Sequence, residues 1–185
     1  MPILGIVDSS KRVNLDLDSM TAINSFIVDS SGASNVTFSN IPSTYAHLQI
    51  RCFVRAVDAS VIPSLRLRFN SDSAGNYTSH YSYGQGVSVG TDPFISGSYC
   101  WAGAIAGGST TSGIFASNII DILDYSDSNK YTTFRSLGGV DLNGSGEIQL
   151  TSGLWRQLQV VDSVTFPGFT FAQYSRFELY GVKKA

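Results

Sequence analysis

The chain has 185 residues, a formal net charge of −2, and charged residues at only 14% of its positions. This length predicts one domain with its own core, and the slight negative charge argues against a nucleic-acid binder, which normally presents a strongly basic face. Soluble domains average roughly 25% charged residues, so the sparse charge favours a protein that packs into an assembly over a free enzyme. No stretch approaches the ~20 consecutive apolar residues that span a bilayer, so we expect no membrane insertion.

The first twenty residues differ in composition from the rest and predict an extended arm ahead of a domain at 21–185. A polar, charged stretch follows a short apolar tip, whose residues are Ile3, Leu4, Ile6 and Val7. An exposed apolar tip is unfavourable unless a partner buries it, so we predict that these four residues anchor the chain to a partner. The alternative is a first strand that pairs within the domain. Residues 16–22 predict a single helical turn.

Beyond the arm the dominant hydrophobic period is two, the period of a strand with one face on a core. It is clearest at 48–56 and 65–69, and turn-forming Gly, Asn and Ser clusters separate the strand candidates. Further strands are predicted at 24–29, 35–39, 77–89, 98–105, 113–124, 131–137, 147–150, 160–166 and 177–182. Residues 119–123 are apolar on both faces apart from Asp121, which predicts a central strand. The pattern predicts an all-β, two-sheet antiparallel β-sandwich of jelly-roll-like type.

Two segments partly match motifs that carry chemistry. Residues 141–147 resemble the start of a calcium loop, but Ser152 stands where the bidentate glutamate belongs, so a β-hairpin is favoured. Residues 86–90 match a nucleophile elbow around Ser88, but Pro93 excludes the helix that should follow, and both histidines precede the serine. We therefore predict no catalytic residue, no metal site and no cofactor.

The strand candidate at 77–89 is rich in aromatic residues. A surface rich in tyrosine and serine suits adhesive contacts, because tyrosine supplies large contact area at low entropic cost. Tyr77, His80, Tyr81 and Tyr83 are candidates for glycan or partner contacts, and the alternative, aromatic packing between strands, is favoured.

Four arginines share the outward phase of two neighbouring strand candidates: Arg51, Arg55, Arg66 and Arg68. They form a positive stripe if the two strands pair, unless cross-strand carboxylates neutralise it. Two cysteines, Cys52 and Cys100, are expected as buried free thiols, with a disulfide as the open alternative.

Several segments, spread in order over nearly the whole chain, carry a family resemblance. They are residues 2–6, 36–51, 67–72, 76–77, 119–125, 143–146, 152–155 and 177–182. Together they resemble a family of virion proteins common in marine and freshwater phages, including cyanophages, described as structural, fibre or tail-associated. The resemblance implies a β-sandwich on the particle surface, made in the bacterial host cytoplasm. It also implies a homotrimer anchored by its N-terminal segment, and it brings no catalytic residues.

The leading hypothesis is a non-enzymatic virion protein, a head decoration or cement protein or a head appendage, docked on the major capsid protein or another virion protein. The alternative is a tail-fibre or tail-tip module that recognises a host surface glycan. An enzyme such as a glycan depolymerase, using Asp121 or Asp124, is the least favoured hypothesis, because no site assembles around these residues in the sequence.

Overall fold

The computed structural model describes residues 19–183. Strands whose residues alternate between buried and exposed positions form two antiparallel sheets. The predicted arm, with Ile3, Leu4, Ile6 and Val7, lies outside the described residues. Within the described range there is no helix that is long and apolar enough to cross a membrane.

The wide sheet has eight strands and the narrow sheet has four. In chain order the strands are β1 (Met20–Ile27), β2 (Ala33–Phe38), β3 (His47–Val54), β4 (Ser64–Phe69), β5 (Tyr77–Gln85), β6 (Ser88–Gly97), β7 (Cys100–Ala104), β8 (Ala116–Leu123), β9 (Thr132–Asp141), β10 (Gly146–Trp155), β11 (Val164–Phe171) and β12 (Arg176–Val182). The wide sheet runs β1-β12-β3-β8-β9-β10-β5-β6, and the narrow sheet runs β2-β11-β4-β7.

The connectivity confirms the predicted sandwich and its jelly-roll-like character. If the hairpins β5–β6 and β9–β10 are set aside, the remaining eight strands, renumbered along the chain, run 1-8-3-6 in one sheet and 2-7-4-5 in the other. That is the strand order of a jelly roll. Both additional hairpins join the wide sheet on the β8 side, so this sheet extends well beyond its narrow partner.

The core lies between the sheets, and a cluster of four aromatic rings ties the additional hairpins to it. Phe69, Tyr77, Phe134 and Trp155 are fully buried, with ring centroids 5.6–6.4 Å apart. The Tyr77 hydroxyl donates to the carbonyl of Phe69 (3.1 Å) and accepts from its N–H (3.0 Å), so the buried polar group is satisfied. β4, β5, β9 and β10 therefore share one packing centre.

Most predicted strands are confirmed, and the exceptions have local causes. Residues 77–89 form a hairpin instead of one strand, because the chain turns at Gly86 (φ 56°) and Val87. The helical turn predicted over 16–22 is wrong where the structure describes it, since β1 begins at Met20. β8 has the central position predicted for 119–123, between β3 and β9.

The hairpin interpretation of 141–147 is also confirmed. A tight turn joins β9 to β10: Asn143 has a left-handed backbone (φ 61°), and its N–H donates to Asp141 Oδ1 at 2.7 Å. The N–H of Leu142 donates to the carbonyl of Ser145 at 2.8 Å. These local bonds account for the Asn-Gly sequence without a metal.

One buried side chain, Asn118 on β8, links the two sheets. Its amide donates to the carbonyl of Ala104 at 2.9 Å and accepts from the N–H of Ala104 at 3.0 Å. Glycines flank it: a Cβ at Gly103 or Gly138 would lie 2.0 or 1.9 Å from its Oδ1 atom. The amide thus occupies a slot that needs glycine on both sides.

Asp72, in the loop between β4 and β5, joins this loop to β10 through hydrogen bonds. It accepts hydrogen bonds from Trp155 Nε1 (2.7 Å), Asn76 Nδ2 (2.9 Å) and the N–H of Ala74 (2.9 Å). Partial burial acts to raise the pKa of Asp72, but these hydrogen bonds outweigh it and hold the pKa below its ordinary value. The folded state therefore favours the ionised carboxylate.

We predict that Asn118→Ala lowers the free energy of unfolding by about 2–4 kcal/mol, because it leaves the buried N–H and carbonyl of Ala104 without partners. Urea denaturation measures the change. The control is Asn24→Ala at an exposed position, where, among the described residues, the side chain bonds only the adjacent N–H of Ser25. We expect a change of less than about 0.5 kcal/mol there. Equal effects at the two positions would contradict the linking role.

We also predict that Asp72→Asn destabilises the protein near neutral pH. In this variant the free energy of unfolding should fall less steeply as the pH is lowered through the acid range. Because the folded pKa lies below the unfolded value of ~3.9, the carboxylate stabilises the fold above that value and loses this effect as the pH falls through the folded pKa. Urea midpoints measured across the acid range test this. The exposed Asp162→Asn controls for loss of charge, and an equal flattening in that variant would refute the assignment.

Candidate functional site

The outer face of the wide sheet, which points away from the narrow sheet, carries a group of exposed aliphatic side chains. We call it the aliphatic patch: Ile119 (46% exposed), Leu137 (52%), Ile148 (59%) and Leu150 (58%). Ile119, Leu137 and Leu150 are direct cross-strand neighbours on β8, β9 and β10, so they form a continuous ridge. A contiguous apolar surface of this kind marks a contact site more often than scattered single residues do.

A trough runs beside the ridge. In the next cross-strand row Ser117 faces Gly139, Gly139 faces Ile148, and Ile148 faces Gly84. The small residues leave an open depression of about 750 Å³, walled by Ile119, Leu137 and Ile148. A Cβ on Gly139 would lie 2.7 Å from the carbonyl oxygen of Glu147, so close backbone packing requires glycine there.

Aromatic residues extend the apolar surface at the end of the trough. Phe53 on β3 is the cross-strand neighbour of Ser117 and is 49% exposed. Its ring stacks on Phe115 with centroids 4.9 Å apart and planes 10° from parallel. The apolar surface therefore reaches from β3 to β10.

In the middle of β9 and β10 the usual distribution of polar and apolar residues is inverted. Ser136, Gln149 and Thr151 point inward with at most 4% exposure, while Leu137, Ile148 and Leu150 of the same strands point outward. The hydroxyls of Ser136 and Thr151 have no hydrogen-bond partner within residues 19–183. A strand pair with polar groups inside and aliphatic groups outside is expected where the outer face is covered as well.

Polar networks border the patch. Asp121 pairs with Arg135 at 3.3 Å and accepts from Gln49 Nε2 at 2.9 Å. On β12, Arg176 pairs with Glu178 at 3.6 Å. An apolar centre inside a polar rim is the usual anatomy of a protein interface.

The four predicted glycan-contact residues do not share one surface. Tyr77 is fully buried, which argues against the contact role expected for it. His80 is exposed on the outer face beside Ser152. Tyr81 and Tyr83 lie in the opposite phase of β5, on the side that faces the narrow sheet.

Tyr81 and Tyr83 belong to a row of packed aromatic rings that bridges the two sheets. Tyr81 meets Tyr83 at 5.6 Å and Trp101 edge-on at 5.2 Å, Trp101 meets Phe94 at 4.7 Å, and Phe94 meets Tyr99 at 5.1 Å. The sequence indicated the tyrosines but gave no indication that Trp101 and Phe94 would join them. These contacts realise the alternative of aromatic packing between strands and hold the β5–β6 hairpin against β7.

The arginine stripe does not form, because β3 and β4, which would have to pair for it, lie in different sheets. Arg55 holds the loop before β8, donating to Thr110 Oγ1 (2.6 Å) and to the carbonyls of Thr110 (2.8 Å) and Thr111 (3.0 Å). Arg66 lies between two rings, 4.7 Å from the centroid of Tyr99 and 4.9 Å from that of Phe169. Both cations serve internal contacts.

The carboxylates considered for catalysis are held in ion pairs. Asp121 pairs with Arg135, and Asp124 pairs with Lys130 at 2.5 Å. The hydrogen bond from Lys130 lowers the pKa of Asp124, whereas a general acid needs a raised one. In the described part of the chain no group of three His, Cys, Asp or Glu residues is placed to hold a metal ion.

Both cysteines are buried free thiols, which resolves the open alternative against a disulfide. Cys52 lies on β3 of the wide sheet and Cys100 on β7 of the narrow sheet. Burial raises the pKa of both, that of Cys100 to about 12. Neither thiol is suited to act as a nucleophile in the folded protein.

No family model, no curated protein and no solved structure matches the chain. The geometry of the outer face is therefore the main guide to its function.

We predict that neither cysteine reacts with a thiol reagent such as DTNB in the native protein at mildly alkaline pH, because burial blocks access and suppresses the thiolate. Both should titrate rapidly in concentrated guanidinium chloride. One equivalent of fast reaction before unfolding would show that a thiol is accessible and would contradict the burial.

Proposed function

We propose that this chain is a non-enzymatic structural subunit on the surface of a phage particle, a head decoration or cement protein or a head appendage. We propose further that it assembles through the outer face of its wide sheet. The observation that carries the proposal is the aliphatic patch over β8, β9 and β10, with polar residues buried beneath it. The capsid docking of Ile3, Leu4, Ile6 and Val7 and the homotrimer remain predictions from the sequence.

The energetics favour a covered patch. Full burial of one aliphatic side chain contributes about 1.5–3 kcal/mol, so covering four side chains that are already about half buried contributes several kcal/mol. Loss of rotational and translational freedom opposes association by a comparable amount. The bordering polar networks and Phe53 then supply the remaining contacts of a specific interface.

The fold supports the proposal by analogy only, since one fold hosts many functions. Jelly rolls are recurrent in viral capsid and lectin domains. The patch lies on β8 and on the β9–β10 hairpin, which is additional to the eight-strand plan. The elaboration, more than the common frame, thus carries the candidate surface.

The second candidate is a tail-fibre or tail-tip module that binds a host glycan. The observation in its favour is the partly exposed aromatic row of Tyr81, Tyr83, Trp101 and Phe94, since aromatic rings combine an apolar face with polar handles. Each ring already packs against another, which favours the assembly role.

Immunogold labelling of the phage that encodes the chain tests the proposal. We expect label over the head, and we expect Leu137→Glu to reduce incorporation at least about tenfold because it places a charge in the interface. The control is Leu158→Glu, at an exposed residue (56%) in the loop after β10, which should incorporate normally. Thermal unfolding of both variants should match that of the wild type.

Two other outcomes would contradict the proposal. Label confined to the tail, together with normal incorporation of Leu137→Glu, would favour the glycan-binding candidate. Absence of the chain from purified particles would refute both.

A further inference from the structure

We infer that the occupant of the aliphatic patch is a second copy of this chain, packed face to face about a two-fold axis. The inference rests on the proposed use of the outer face for assembly and names the partner. It requires a surface that is complementary to itself, because a two-fold contact uses the same residues on both sides.

The shape of the patch meets this requirement. On the outer face of β9, Leu137 of the ridge stands next to Gly139 of the trough, and on β8, Ile119 stands next to Ser117. An axis in the interface, perpendicular to the strands and between the two rows, places the Leu137 side chain of one copy over Gly139 of the other. On β8 and β9 each ridge then fills the facing trough of about 750 Å³, whereas on β10 Leu150 of one copy meets Ile148 of the other.

The charges meet the same requirement. Arg135 lies two residues before Leu137, and Asp141 lies two residues after Gly139, so the axis relates their positions on β9. The side chain of Arg135 is 68% exposed, and Asp141 is exposed as well. The rotation brings Arg135 of each copy to Asp141 of the other, so two ion pairs form at the border of the apolar contact.

A second pair of opposite charges follows the same rule. Arg176 and Glu178 occupy the corresponding two rows on β12, where they pair within one chain at 3.6 Å. The axis places Arg176 of each copy opposite Glu178 of the other. Complementary charges of this kind fix orientation and register more than they add affinity.

The two-fold contact differs from the homotrimer that the family resemblance implies. A three-fold ring joins two different surfaces in every contact. In such a ring the ridge of one copy would not face the trough of another, and Arg135 would not face Asp141. The self-complementarity of one face therefore favours a dimer.

Light scattering coupled to size-exclusion chromatography of the full chain tests the inference. We expect a mass twice the 19.9 kDa of one chain, a single-chain mass for Leu137→Glu, and an unchanged dimer for the Leu158→Glu control. Arg135→Asp and Asp141→Arg should each raise the dimer Kd about tenfold, because each removes two ion pairs per dimer and adds like-charge contacts. The double variant exchanges the charges across the contact and should recover most of the lost affinity, but not all of it, because it gives up the pair with Asp121 within each chain.

The remaining outcomes overturn the inference. If the wild-type chain is a monomer, with another protein or residues 1–18 covering the patch, the inference is refuted. A trimeric wild-type chain refutes it as well. If Leu137→Glu is still a dimer, the contact lies on another surface and the inference is refuted. If the double variant does not recover affinity, the two-fold register is refuted. A monomer that still labels the phage head in a Leu137-dependent way would leave the proposed function intact, whereas a dimer absent from particles would refute that function alone.

Discussion

The close approach of β7 to the middle of the wide sheet is the constraint on which the outer surface depends. The Asn118 amide bonds to Ala104 in a slot between Gly103 and Gly138, and this fixes the separation of the sheets. Among the inward-facing residues of β9 and β10 are the small or polar Ser136, Gln149 and Thr151. A shift of β10 by one residue would exchange these polar residues for its aliphatic ones and turn the polar residues outward. The aliphatic patch is therefore tied to the register of β10 against its neighbouring strands.

The patch is also rigidly supported. The aromatic cluster joins Tyr77 of β5, Phe134 of β9 and Trp155 of β10 to Phe69 of β4, so the additional hairpins share a packing centre with the jelly-roll frame. Contact residues on such strands hold their positions better than residues on loops do. A surface of this kind can make a ridge-and-trough contact without first paying the entropy of ordering a loop.

The sequence predicted most strands because their period of two is a local property, but it did not predict which face is covered. In β10, Ile148 and Leu150 alternate with Gln149 and Thr151, and hydrophobicity alone places the aliphatic pair inside. Only the neighbouring strands decide otherwise. A signal existed in the small residues of 102–104 and 138–139, which indicate a close approach of two backbones. The burial of Tyr77 likewise depends on hydrogen bonds to the backbone of Phe69 on another strand. The alternation of residues within β5 does not show this contact.

The distribution of charge gives the last argument for a covered outer face. A sheet face exposed to water normally carries charged residues among its aliphatic ones, which prevent association. On β8, β9 and β10 the outward-facing charged residues are Asp121, Arg135 and Asp141, and the first two neutralise each other. The ridge between them has no charged residue of its own. With charged residues at only 14% of its positions, the chain has few others on this face, which supports the proposal that a partner covers it.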